Sequence, residues 1–185
     1  MLGKSKGQSL QAIWINYFHY LQQIEEPDKY RDRLRWMMEK VEDADEKLSV
    51  YFIPYSTGSL DEKYDIMSWD SLKLLDEINS RGHEIGVHPG YGCMDNESHF
   101  QKSIDLLRKA LRTIGANADG LGGRMHFLRW KASITPSLWE KYGLSYDSSL
   151  AYADLSGFRC GTSQAYPMYD IQTVSYTHLT LPTKA

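Results

Sequence analysis

Segments with helical periodicity alternate with short β-favouring segments along this chain, and that alternation constrains the fold more than any other feature. Apolar groups at Tyr30, Leu34, Met37, Met38, Val41 and Ala44 recur at helical spacing across 28–47, with charged residues between them. Ser49–Pro54 is nearly all apolar or β-favouring, as buried parallel strands are. A second helix is expected over 68–79, burying Leu72, Leu75 and Ile78, with Gly82 just past its end as a C-cap. Strand 84–88 follows and stops at Pro89-Gly90-Tyr91-Gly92. A third helix over 97–114 turns Phe100, Ile104, Leu107, Leu111 and Ile114 inward. Gly122–Leu128 reads as a strand or a strand end. Thr135 and Pro136 open a fourth helix, hydroxyl cap then proline, and Gly143 closes it. Leu144–Asp147 and Phe158–Thr162 read as two further short strands, and Ser56–Asp65 as a loop. This order requires a parallel sheet with helices outside it, an α/β fold, open or barrel-like. In such folds chemistry collects at the C-terminal ends of strands, where His88, Arg124, His126 and Asp147 fall.

Composition narrows the class. The 185 residues are enough for one domain with a real core. Twenty-one basic against 24 acidic side chains, with no basic block, argue against an electrostatic nucleic-acid binder. No stretch approaches the roughly 18 consecutive apolar residues that span a bilayer. Lys4 and Lys6 before Leu10–Tyr20 echo a signal peptide, but Asn16 and His19 interrupt that stretch and no small-residue cleavage site follows. Cys93 and Cys160 are too few for a disulfide framework and suit free thiols in a cytoplasmic chain. Thirteen Tyr and five Trp suit either a carbohydrate-facing groove or an aromatic core.

The motifs at the strand ends carry a resemblance. Gly82-His-Glu-Ile-Gly-Val-His-Pro-Gly-Tyr91 resembles the metal-binding motif of the polysaccharide deacetylases, the NodB-homology carbohydrate esterases. Gly123-Arg-Met-His126 is similar to their arginine motif, and Trp139–Ser149 resembles the helix, glycine and Tyr-Asp-Ser-Ser strand that follow it. Gly157-Phe-Arg-Cys-Gly-Thr162 is similar to a segment of a divergent bacterial branch. The likeness spans about residues 48–171 in family order. It implies a distorted (β/α) barrel, here partial, that removes an acetyl group from an N-acetylated sugar. A divalent metal, usually zinc, would activate water and polarise the amide carbonyl, because amide hydrolysis at neutral pH needs a nucleophile and a stabilised oxyanion.

By resemblance, His88 is the first metal histidine. The usual partner lies four residues on, where this chain has Gly92, so His126 is the expected replacement. Arg124 matches the arginine that orients the catalytic base through a charge-assisted hydrogen bond. Asp147 either pairs with Arg124, shapes the pocket, or caps the Ser-Ser turn after it. Tyr91 and Arg159 are expected substrate contacts, while His83 and Glu84 read as fold residues. Trp130 and Trp139 could stack on sugar rings, though Trp139 lies on a helix stripe that suits core.

The family's early Asp-Asp or Asp-x-Asp strand has no counterpart in residues 1–50, since Asp43-Ala-Asp45 sits at the charged end of a helix. The closing Leu-x-His motif is also missing. Val174–Ala185 looks foreign, like translated adapter sequence, so His178 is set aside. The expected organisation is a helical segment at 1–47 with a truncated start, a deacetylase-like domain at 48–172 and a non-native tail at 173–185. The expected function is a metal-dependent sugar N-deacetylase, inactive as this fragment. The rival is a non-catalytic glycan-binding or scaffold domain on the same fold, with a metal-dependent phosphoesterase behind both.

Overall fold

The structure, a computed structural model, describes residues 29–171 and 174–181. Leu10–Tyr20 and the His178 side chain lie outside the described residues. The chain divides into two compact units, Met1–Glu46 and Lys47–Ala185. In the first, helix α1 spans Lys29–Glu42. Of the stripe expected to turn inward, Met38 is buried, whereas Tyr30 and Met37 stand in solvent.

The second unit is mixed α/β. Its elements run β1 (Ser49–Phe52), α2 (Trp69–Ser80), β2 (Glu84–Val87), α3 (Glu97–Thr113), β3 (Gly122–Gly123), α4 (Thr135–Lys141), β4 (Tyr146–Asp147), β5 (Tyr166–Asp170) and β6 (Ser175–Leu181). The sheet order is β1-β2-β3-β4-β6-β5, with β1 to β4 parallel to one another. Strand β6 lies parallel to β4 and antiparallel to β5. The backbone of 175–181, expected to pack nothing, therefore pairs with two strands. No helix among the described residues is long and apolar enough to cross a membrane.

Local chemistry explains the boundaries. Ser68 caps α2 by accepting the Ser71 N–H, and Asn96 caps α3 by accepting from Ser98 and His99. Helix α2 ends in a Schellman motif, the Gly82 N–H on the Asn79 carbonyl and the His83 N–H on Ile78, with Gly82 at φ 75°. Thr135 is not the cap expected of it. It is the first residue of α4, and its hydroxyl accepts the Lys131 N–H instead. The strand expected over 158–162 is also absent. Gly157 and Gly161 take φ of 129° and 76°, and the Gly161 N–H closes a turn on the Phe158 carbonyl. The next strand forms only at Tyr166.

Strand alternation gives the sheet two faces. Phe52, Ile85 and Val87 point to the side packed by α2 and α3, where Leu75, Ile78, Phe100, Ile104 and Leu107 are buried. Trp139 of α4 is fully buried, 4.9 Å from Phe100 between ring centroids, and its indole N–H donates to the Tyr146 carbonyl at 3.0 Å. Tyr51, Glu84, Gly86, Gly122 and Tyr146 share the opposite face. Tyr51 and Tyr146 lie over the two glycines, where any Cβ would meet their rings.

Candidate functional site

Strand β2 runs into His88, whose N–H extends the ladder by bonding the Phe52 carbonyl at 2.6 Å. The backbone after β3 does the same from the other side. Arg124 N–H bonds the Val87 carbonyl and His126 N–H the Pro89 carbonyl, which brings the two histidines together although they are 38 residues apart in sequence. His88 Nε2 and His126 Nδ1 are 3.0 Å apart, and the rings meet edge to face at 5.0 Å.

Backbone carbonyls orient both rings. His88 Nδ1 lies 2.5 Å from the Arg124 carbonyl and His126 Nε2 lies 2.9 Å from the Leu60 carbonyl. A carbonyl only accepts, so each of those nitrogens carries a proton. The remaining nitrogens, His88 Nε2 and His126 Nδ1, are then the ones that face each other. Two lone pairs at that distance repel unless a Lewis acid, a proton or a metal ion, sits between them. Burial pushes the His88 pKa down to about 4, so this imidazole is neutral at physiological pH.

The loop expected to be mere connection supplies a carboxylate. Asp61, buried, stands 3.8 Å from His126 Nε2. Its Oδ2 accepts from the Thr57 N–H and hydroxyl, and its Oδ1 from the Tyr91 N–H at 2.7 Å. Burial alone would raise its pKa, but the Thr57 and Tyr91 hydrogen bonds outweigh that and hold it below the usual carboxylate range. Asp61 was legible only by position, as an acid in the loop leaving a strand. Gly92, where the resemblance expects a second histidine, is not spare room. A Cβ there would stand 3.0 Å from Thr57 Cβ and Oγ1, and its N–H already donates to that hydroxyl.

Arg124 Nε donates to Ser148 Oγ at 3.1 Å, and its guanidinium lies 5.6 Å from the Tyr51 ring. On the same face Ser49 and Tyr146 donate to Glu84, Tyr146 and Tyr51 share a hydroxyl contact, and Ser148 reaches Tyr51. Asp147 points the other way. It is fully buried, and its Oδ1 accepts from the Ser149 N–H and hydroxyl, which is the turn-capping alternative. Among the described residues no ion pair joins it to Arg124. Burial raises its pKa to about 6, against the Ser149 bonds. The Trp130 indole N–H acts on it as well, but neither Trp130 Nε1 nor Asp147 Oδ2 has a partner in good hydrogen-bond geometry.

Tyr91 lies at the rim, its ring 4.3 Å from the Arg129 guanidinium. Arg159 is exposed and donates to the Leu128 carbonyl at 3.3 Å. Trp139 is core, as its helix stripe suggested. The described residues hold no group of three or more His, Cys, Asp or Glu side chains that could bind a metal, so the site offers two donors, His88 and His126. Compared with known proteins, the chain matches no family model, no curated protein and no solved structure.

Proposed function

We propose that the chain carries the metal site of a metal-dependent hydrolase that removes an N-acetyl group from a sugar or polysaccharide precursor. His88 and His126 would hold a divalent metal, zinc by donor type. One observation carries the reading: two imidazoles, each with its far nitrogen tied to a backbone carbonyl, bring their other nitrogens within 3.0 Å of each other. Carbonyl-anchored imidazoles of this kind are characteristic of metal-binding histidines. When bound, such an ion supplies a water acidified toward neutral pH and positive charge for the developing oxyanion.

The chain's own residues set the stage for that chemistry. The Arg124 carbonyl orients His88, and the Leu60 carbonyl orients His126. The Arg124 guanidinium lies on the same polar face as Tyr51 and Ser148, which would line the inside of a distorted barrel. Asp61 is too fully engaged with Thr57 and Tyr91 to serve as base or ligand. A base and a third ligand, which the resemblance assigns to an early aspartate strand, are not among the site's residues. The chain alone is therefore expected to bind metal and not to turn over.

The same engagement of Asp61, with the closed position at Gly92, favours the second reading of a glycan-binding domain without catalysis. Zinc stoichiometry separates the two. After dialysis against zinc, the wild-type chain should hold one ion, and His88→Ala and His126→Ala should hold none while keeping the wild-type circular dichroism. A wild-type chain without zinc sinks the hydrolase reading. Release of acetate from acetylated chito-oligosaccharides at enzyme-like rates would refute the inactivity of this chain.

A further inference from the structure

We infer that Phe127 is the platform on which a pyranose ring of the substrate sits beside the histidine pair. The inference deepens the sugar reading above, and it rests on a conflict that folding does not resolve. Phe127 has φ 58° and Leu128 φ 51°, two successive left-handed residues that both carry a Cβ. That region disfavours any side chain and disfavours a bulky one most, so strain of this kind persists where function requires it. A buried Phe could offset the strain by filling the core. Phe127 is 61% exposed, so packing does not explain it.

The exposed ring is nevertheless held in place. His126 meets it at 4.7 Å and 78°, and Tyr91 meets it at 5.5 Å and 90°. Arg129 fixes Tyr91 in turn, lying over its ring while bonding its carbonyl and pairing with Asp95 at 2.7 Å. The turn's next carbonyl, on Leu128, receives Arg159 from a separate loop. The result is a rigid, solvent-facing aromatic surface attached to a histidine of the pair, with the hydrogen-bond donors of Arg159 tied to the same turn. An aromatic face flanked by polar donors matches a pyranose, which offers C–H groups on one face and hydroxyls around its edge.

Phe127→Gly tests this, because glycine relieves the strain and removes the platform in one change. Chitotetraose titrated calorimetrically into chelator-treated protein is the probe, so the outcome does not depend on metal. The expected result is a melting temperature equal to or above wild type, with affinity for chitotetraose reduced about tenfold. Phe127→Tyr should keep wild-type affinity. A lowered melting temperature in Phe127→Gly would make the ring a structural element and overturn the inference. So would equal chitotetraose affinity in the two proteins, or no binding by wild type. If zinc fails to bind but Phe127→Gly still loses chitotetraose, the hydrolase reading falls and the platform stands. If zinc binds and the variants bind sugar alike, the platform falls alone.

Discussion

The two faces of the four parallel strands handle polar groups in opposite ways. On the face covered by α2 and α3, Phe52, Ile85 and Val87 meet Leu75, Ile78 and Phe100, and the Asp147 carboxyl is sealed in with a raised pKa. On the other face Ser49, Glu84, Tyr146, Tyr51, Ser148 and Arg124 form a connected polar row that leads toward the histidine pair. Burial acts on both sides, but with opposite sign. It favours the protonated acid at Asp147 and the deprotonated base at His88, because each is the neutral form. A polar residue at a strand end is thus informative only once its face is known.

The strongest way to break the comparison is to empty the covered face. Trp139→Ala removes a fully buried ring and a hydrogen bond to Tyr146, and should cost about 3–5 kcal/mol in denaturant unfolding. Tyr51→Ala, on the half-exposed face, should cost well under half of that. Equal losses would mean that the polar face is core after all.

Next in size is Asp147. Its folded pKa of about 6 lies above the ordinary value of 3.8, so the fold keeps a proton that the unfolded chain releases. The stability it contributes is fully present below about pH 4 and is lost as pH rises to about 6. Asp147→Asn should therefore stabilise the protein at pH 7 by roughly 2–3 kcal/mol, by the linkage between pKa shift and stability. Destabilisation at pH 7 would show that the charged form is wanted.

His88 runs the other way. Its folded pKa is lowered from 6.5 to about 4, so its contribution is present above about pH 6.5 and is lost as pH falls toward 4. Wild type should show a shallow pH profile in this window, since the two groups oppose each other. Asp147→Asn should then uncover an acid-side loss of about 2 kcal/mol, and His88→Gln should abolish it. Parallel profiles for wild type and both variants would remove the assigned opposition.

The smallest effect tests the close approach of backbone and ring. Gly86→Ala would place a Cβ 2.5 Å from the Tyr51 ring and 2.8 Å from the Gly122 carbonyl, and should cost about 1–2 kcal/mol. A neutral result would mean that Tyr51 is free to swing off the sheet.

The alternation of helices and strands was legible because it rests on local periodicity and caps. Ser68, Asn96 and Gly82 act within a few residues of their own helix ends. Phe158–Thr162 misled because Phe158, Cys160 and Thr162 look β-favouring until Gly157 before them and Gly161 among them turn the chain. The pairing of His88 with His126 was expected from the resemblance together with the strand-end position of both residues. The engagement of Asp61, the closed space at Gly92 and the exposure of Phe127 were not. Each depends on where the 57–61 loop and the 126–128 turn come to rest against other elements.

By itself, then, the sequence determined the order of elements from α1 to β4, the apolar faces of α2 and α3, and which residues stand at those strand ends, because these follow from spacing along one segment. Only the tertiary structure decided which face each strand-end residue occupies and what its polar atoms meet. Asp147 directly precedes Ser148 and Arg124 directly follows Gly123 in strand-end motifs that look equally catalytic, yet one is sealed beneath the sheet and the other lies on its open face. Burial and hydrogen-bond partners arise between segments distant in sequence, and they set the charge state on which any chemistry here depends.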